Sequence, residues 1–243
     1  MDAKKLKWIA MITMLLDHLG AGVIKLMAKN DPAYSELYDI LRFIGRIAFP
    51  IFLFLMVEGV IHTRSILRYI RNLLIFAFIS DFFFDLALFG KKFDIKHQNV
   101  YFTLFLCTLL TFGVINVCVV LPVTDALRYD LVIFLTVVAA WVAYLIKCDY
   151  KYGGVLAFFV MLAVKMAFKN PLFTRQINVL AVFLGCIVLY LYNKNELGAF
   201  AALLPVYFYN GKRGNIKYKY FYYAYYPLHL ALLAVIRLCM GNG

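Results

Sequence analysis

The stretch LKWIAMITMLLDHLGAGVIKLM, residues 6–27, decides how this chain is read. As a helix rising 1.5 Å per residue, it is long enough to cross a hydrocarbon core of about 30 Å. Inside this otherwise lipid-compatible run sit two adjacent ionisable residues, Asp17 and His18. Burying such a group near mid-bilayer costs roughly 2.5–3.5 kcal/mol on insertion scales, so an intramembrane pair of this kind points to function. Lys7 stands eleven residues before His18, close to three helical turns, which puts both on one face about 17 Å apart along the axis. A cation near one membrane surface and a deep imidazole on the same stripe would hold a long ligand lengthwise. The basic start (Lys4, Lys5, Lys7) resembles that of a signal peptide. However, no convincing small-x-small site follows, and Asp17-His18 interrupts the apolar body, so the run is read as a retained span.

Working outward, runs of similar length recur near 39–61, 67–89, 99–121, 128–147, 153–168, 176–192, 196–209 and 219–239. With 65% hydrophobic and 16% charged residues among 243, the chain is expected to be all-α: a polytopic helical membrane bundle of about nine spans, within a range of eight to ten. The sixth and eighth runs are short enough to be re-entrant or tilted. A closed barrel would need alternating ten-residue strands, which these runs do not provide. No soluble domain or internal repeat is visible, so residues 1–243 read as one transmembrane domain. The missing repeat counts against a transporter of two inverted halves.

The net charge of +12 comes from cations lying between apolar runs, which reads as positive loops and not as a nucleic-acid surface. In a nine-span layout the N-terminus, the 62–71 connection (Arg64, Arg68, Arg71) and the 210–219 connection (Lys212, Arg213, Lys217, Lys219) fall on one side, which is expected to be cytoplasmic. Lys91, Lys92, Lys96, Lys147 and Lys151 fall on the other. Tyr218, Tyr220, Phe221, Tyr222, Tyr223, Tyr225 and Tyr226 crowd one end of the last span as an interfacial belt. The five cysteines form no CxxC or Cys/His pattern, and no metal site is expected.

The remaining intramembrane polar residues carry the site expectations. Lys165 reads as a snorkelling side chain, and Asp39 and Arg42 as interfacial anchors. Asp81 and Asp85, one turn apart, either steer a substrate amine or pair with Arg42 or Arg46. Glu58 and His62, also one turn apart, either form an acid–base pair or orient the following loop. His229, behind Pro227, is a second deep imidazole. Arg68 and Arg71 share a helix face with Arg64 one turn earlier; this is either a topology anchor or a guanidinium fork for phosphate.

At this point the sequence resembles the TraX family of membrane proteins, named for a conjugation protein that acetylates the N-terminus of pilin. The resemblance covers nearly the whole chain. It rests on MLLDHLG (14–20), RFIGRIAFPIF (42–52), VEGVIHTR (57–64), ISDFFFDLA (79–87), NVYFTL (99–104), DYKYGGV (149–155), YNGKRG (209–214) and YPLHL (226–230). Lys7-x10-His18 and Arg68-x-x-Arg71 also resemble, more distantly, membrane acyltransferases that modify surface glycans. The stretch around Phe49–Pro50 resembles the heparan-type lysosomal N-acetyltransferases.

These resemblances imply a membrane acetyltransferase of the bacterial cytoplasmic membrane using acetyl-CoA as acyl donor. The acceptor would be a pilin-like or exported peptide N-terminus, or a glycan hydroxyl. The donor's phosphates would be held by Arg68, Arg71, Arg64, Lys7, Lys212 and Arg213. His18 would be the base or acyl carrier, with Asp17, Glu58 and His229 as further catalytic candidates; Asp81, Asp85 and Arg46 would serve the substrate. The partners would be the bilayer, acyl-CoA and acceptor, with a second copy as a possible homodimer. The rival readings are a proton-coupled transporter relaying through Asp17, His18 and His229, and a non-catalytic assembly factor.

Overall fold

In the computed structural model, which describes residues 1–120, 122–168, 170–215 and 220–241, the chain is an all-α bundle of the polytopic membrane type. The helices are α1 (Ala3–Leu19), α2 (Lys25–Asn30), α3 (Ser35–Gly45), α4 (Ala48–His62), α5 (Ile66–Phe89), α6 (Val100–Ile115), α7 (Asp125–Leu145), α8 (Lys151–Ala167), α9 (Thr174–Tyr192), α10 (Leu203–Tyr207) and α11 (Phe221–Cys239). No strand forms among the described residues; a single isolated bridge joins Gln98 and Cys148. Lys217, Lys219 and Tyr218, which the sequence reading places in a basic loop and an aromatic belt, lie outside the described residues.

Six helical stretches of the described chain are long and apolar enough to cross a membrane: Ala3–Asn30, Pro32–His62, Ile66–Phe89, Val100–Val119, Asp125–Leu145 and Pro171–Tyr192. Length and composition thus support six crossings, and the expectation of nine rests on three further segments. These are α8 at 17 residues, α11 at 19, and the run 194–207, which is a 3-10 helix (Lys194–Ala202) followed by the five-residue α10.

The second span is not one straight helix. Pro50 has no N–H to donate and would collide with the Arg46 carbonyl, so the helix restarts at Ala48 with Pro50 in its tolerant first turn. The first span stays continuous but widens into a π turn at Gly20–Ile24 before α2. Arg237 of α11 fills in there, donating through Nη1 to the carbonyls of Gly22 (3.3 Å), Ala87 (3.3 Å) and Leu88 (3.0 Å). It therefore ties the far end of α11 to α1 and α5.

Hydrophobic burial cannot drive helix association in lipid, so close approach of backbones matters more. α1 packs on α3 and α4, α5 on α6 and α11, and α8 on α7 and α9. At the α1–α3 crossing a β-carbon on Gly45 would overlap the Asp17 Cβ, and a β-carbon on Gly198 would overlap the Phe43 carbonyl. These two glycines bring α1 and the 194–202 segment against α3. α7 is the rim helix: Ile133, Phe134, Val137 and Trp141 are exposed, as lipid contact requires.

Gly45→Ala is accordingly expected to lower stability by about 1–3 kcal/mol, the usual cost of overpacking. Gly59→Ala is the control, because its β-carbon would meet only the Tyr69 ring at an ordinary 3.6 Å and should be near neutral. Thermal unfolding in detergent compares the two.

Candidate functional site

Two imidazoles from opposite ends of the chain meet in the bundle. His18 Nδ1 lies 2.7 Å from His229 Nε2, and the rings are nearly coplanar at 7°. His229 Nδ1 lies 2.8 Å from the Tyr225 carbonyl oxygen one turn earlier on α11. A carbonyl only accepts, so His229 Nδ1 carries its proton and its Nε2 is the acceptor; the proton between the rings then belongs to His18 Nδ1. In the neutral pair His18 Nε2 is left with a lone pair and makes no hydrogen bond among the described residues.

Pro227 builds the floor beneath this pair. Having no N–H, it frees the Tyr223 carbonyl one turn back, and the Tyr101 hydroxyl donates to that oxygen at 2.9 Å. Tyr225 of the same turn donates to the Met11 carbonyl at 3.2 Å, joining α11 to α1.

Two cavities open on these residues. The smaller, about 70 Å³, is lined by His18, Asp17, Asp149, Tyr150, Tyr225 and Tyr226, among others. The larger, about 850 Å³, is lined by Lys7, Arg64, Arg68 and Arg213 together with Glu58, His62, Tyr69 and Tyr209. Met11, Phe52, Tyr101, Leu104 and Tyr222 line both, so the two share a wall. The stripe Lys7, Met11, Met14, His18 faces these cavities along its length. Lys7 also stands 4.8 Å over the Tyr222 ring. The volume of the larger cavity is that of a ligand site, and its lining is predominantly cationic among its charged groups.

Asp17 points away from His18. Its carboxylate pairs with Arg42 at 2.6 Å and Arg46 at 3.4 Å, and Arg46 reaches on to Glu196 at 2.7 Å and to the Tyr150 hydroxyl at 3.4 Å. Arg42, expected as an interfacial anchor, is thus part of this network, and Arg46 is locked between two carboxylates. Glu196, whose side chain is 2% exposed, lies in a segment whose sequence reading identified no site residue. Its approach depends on Gly198, as above.

Several expectations are corrected by the packing. Lys165 does not snorkel: its ammonium meets Glu58 at 2.9 Å and Asn178 at 2.5 Å between α4, α8 and α9. Glu58 is therefore not an acid–base partner of His62, which bonds only the Glu58 carbonyl at 2.8 Å and is exposed. Asp81 and Asp85 pair with neither Arg42 nor Arg46. Asp81 accepts from Asn99 at 2.9 Å, and Asp85 accepts the Asp94 backbone N–H at 2.6 Å; both secure the 90–99 connection away from the cavities. In that connection the Lys96 backbone N–H and the Lys91 ammonium hold the Asp94 carboxyl below the usual carboxylate range. Of the basic set, Arg71 and Lys212 do not line the large cavity, whereas Lys7, Arg64, Arg68 and Arg213 do.

Asp149 and Tyr150 carry a signal that no composition count would find. Lys147, Tyr150 and Lys151 all have positive φ (56°, 61° and 41°), a region side-chain-bearing residues avoid. Each costs of order 1–3 kcal/mol and persists only where surrounding contacts impose it. Here the Gln98 carbonyl accepts from the Asp149 N–H at 2.8 Å, and the Thr103 hydroxyl donates to the Asp149 carbonyl. Phe49 stacks on Tyr150 with ring centroids 3.6 Å apart.

A helical bundle that keeps hydrogen-bonded imidazoles and a carboxylate–arginine network within its spans is a multi-pass membrane protein with a polar intramembrane site. The family model described as "TraX protein" matches residues 2–237, and the chain belongs to that family. It is 28% identical over 254 residues to the "Probable fimbrial assembly protein FimC, serogroup H1" of Dichelobacter nodosus, a match covering 96% of this chain and 94% of that protein. No solved structure matches this chain.

Proposed function

We propose that this protein transfers an acetyl group from acetyl-CoA, entering from the cytoplasmic face, to an acceptor presented within or across the bacterial cytoplasmic membrane. The observation that carries the reading is the cationic large cavity sharing a wall with the small one that borders His18. Phosphates suit the Lys7, Arg64, Arg68 and Arg213 end, because guanidinium groups offer paired donors at fixed charge. The thioester would then lie toward His18, whose Nε2 is free to take a proton.

The chemistry balances on these groups. The acceptor nitrogen or oxygen attacks the thioester carbonyl, and the new C–N or C–O bond forms as the C–S bond breaks. His18 Nε2 accepts the acceptor's proton and returns it to the departing thiolate, while His229 and the Tyr225 carbonyl hold the ring in the required tautomer. With the N-terminus at the cytoplasmic face, the large cavity opens there. The Lys212 carbonyl accepts the Ala3 N–H at 2.9 Å, so the 210–213 loop shares that face. A pilin-like peptide N-terminus as acceptor fits the fimbrial assembly relative and the family's link to pilin.

The direct test is to incubate purified protein in detergent with radiolabelled acetyl-CoA and an amine-terminated peptide, following CoA release and labelled product. Release that never exceeds the protein-free control would exclude the enzyme. The relative's name also favours a second reading, a non-catalytic assembly factor. On that reading His18→Ala would leave fimbrial assembly intact wherever the protein accumulates normally.

Within the transfer reading, Arg68→Ala is expected to weaken acetyl-CoA binding about tenfold or more, the effect of losing one charge-assisted contact worth about 1.5–3 kcal/mol. Arg71→Ala should change it less than threefold, because that side chain is not part of the cavity lining. Equilibrium binding of acetyl-CoA to the two variants decides it; unchanged affinity in a folded Arg68→Ala would reduce the pair to a topology anchor.

A further inference from the structure

We infer that the 90–98 connection is a rigid finger that inserts Phe93 and Ile95 into the membrane interface and binds anionic phospholipid headgroups through Lys92 and Lys96. No acetyl-CoA chemistry is involved, and neither cavity takes part.

Water is a poor environment for this segment. Phe93 is 76% exposed and Ile95 86%, whereas Asp94 between them is buried. Neighbouring bulky apolar side chains held out in this way mark a surface that lipid or a partner covers. The turn itself imposes the exposure. The Asp94 backbone N–H donates to the Asp85 carboxylate at 2.6 Å, and the Asp94 carboxylate accepts the Lys96 N–H at 3.0 Å. The same carboxylate lies 3.5 Å from the Lys91 ammonium and 3.7 Å from His97 Nδ1. His97 stacks on Phe89 with ring centroids 4.5 Å apart. Beyond it, the Gln98 N–H donates to the Lys147 carbonyl at 3.0 Å and the Gln98 carbonyl accepts the Asp149 N–H at 2.8 Å. With Asp94 fixed inward by these contacts, the residues on either side of it are left outward.

The depth of the finger follows from α5. Its 24 residues rise about 36 Å, more than the hydrocarbon core of about 30 Å, so its last turn reaches headgroup level. The chain then turns at Gly90, whose φ of 69° suits glycine, and folds back along the helix. The Phe93 ring meets Phe82 with centroids 5.9 Å apart, although Phe82 lies seven residues, about 10 Å, before the end of α5. Ile75, Phe78, Ile79 and Phe82 form an exposed apolar stripe on α5, as lipid contact requires, and Phe93 prolongs it. A second landmark gives the same depth. Lys147, which bonds Gln98, lies two residues beyond α7, and the end of α7 exposes Trp141 and Tyr144. Such aromatics mark the membrane–water interface.

The charges select the lipid. Three lysines (Lys91, Lys92, Lys96) stand against one aspartate in the finger, and Lys147 and Lys151 are exposed at the same end of the bundle. Lys91 is paired with Asp94, whereas Lys92 and Lys96 are exposed and hold no ion pair among the described residues. Lysine stems lie along apolar surface while their ammonium groups stay at phosphate level. A headgroup of net negative charge satisfies them, and a zwitterionic one offers no net attraction.

Tryptophan quenching by brominated lipids tests the finger. Phe93→Trp, combined with Trp8→Phe and Trp141→Phe, makes residue 93 the only tryptophan. The purified protein is placed in phosphatidylcholine vesicles holding equal fractions of phosphatidylglycerol or phosphatidylcholine brominated near the headgroup end of the acyl chain. Both lipids should quench, with phosphatidylglycerol favoured about fivefold or more, the attraction of one lysine to an anionic surface. Lys92→Gln together with Lys96→Gln should bring that preference below twofold, while quenching by brominated phosphatidylcholine persists because the apolar insertion remains. Ile95→Trp in the same background repeats the measurement should the first variant fail to fold. Absence of quenching by both lipids would overturn the proposal and leave this face to water or a protein partner. Equal quenching by the two lipids would also overturn it, as would a preference that survives removal of both lysines.

Discussion

His18→Ala is expected to lower acetyl transfer by about 10²–10⁴-fold, the loss that follows removal of a positioned general base. The variant should still bind acetyl-CoA, because the cations of the large cavity lie on other turns and other helices. His18→Gln should be equally inactive: it keeps hydrogen-bonding capacity but does not titrate near neutrality. His229→Ala should lose less, since it removes the group that fixes the tautomer and leaves the base itself. Acidification should act in the same direction. Adding a proton to the histidine pair occupies the lone pair on His18 Nε2, so the rate falls as pH is lowered, and the fall should vanish in the residual activity of His18→Gln. Normal transfer by His18→Ala in a folded protein would remove the base from this mechanism and leave His229 to be tested alone. Single-turnover assays with preloaded acetyl-CoA separate loss of chemistry from loss of binding.

Arg46→Ala carries the largest expected effect on stability. The guanidinium joins Asp17 on α1 to Glu196 in the 194–202 segment, and its removal leaves two carboxylates inside the bundle with only Arg42 near one of them. Breaking a buried pair from one side costs about 3–5 kcal/mol, chiefly because an uncompensated charge stays behind. The expected readout is early unfolding in mixed micelles together with poor accumulation in the membrane. Glu196→Gln in the same chain should recover part of the loss by removing one of the stranded charges. Arg46→Lys should not substitute, since a single ammonium lacks the fork that reaches both carboxylates at once. An Arg46→Ala protein as stable as the parent would mean that the network is solvated and does not hold the 194–202 segment in place.

The sequence alone was sufficient for the architecture and for one stripe of the site. Apolar runs long enough to span a bilayer leave little choice but helix, because lipid supplies no partner for an open backbone. The eleven-residue spacing of Lys7 and His18 follows from helical geometry, and both side chains line the cavities. The missing N–H of Pro227 follows from its chemistry, but the group that answers it does not. Tyr101 covers the carbonyl freed by Pro227 from 122 residues away.

The tertiary structure decided which polar groups meet. His18 and His229 are 211 residues apart, and Glu58 finds Lys165 and not the histidine one turn away on its own helix. Local spacing misleads there because an exposed neighbour offers less than a buried cation of opposite charge. Asp149 opens the DYKYGGV stretch, which carries the family resemblance but gave it no site role. Only the fold shows its strained backbone and its place on the cavity that His18 also lines. Inside a membrane each ionisable group must find compensation wherever packing brings it, and that choice depends on which helices are neighbours, which a linear pattern does not encode.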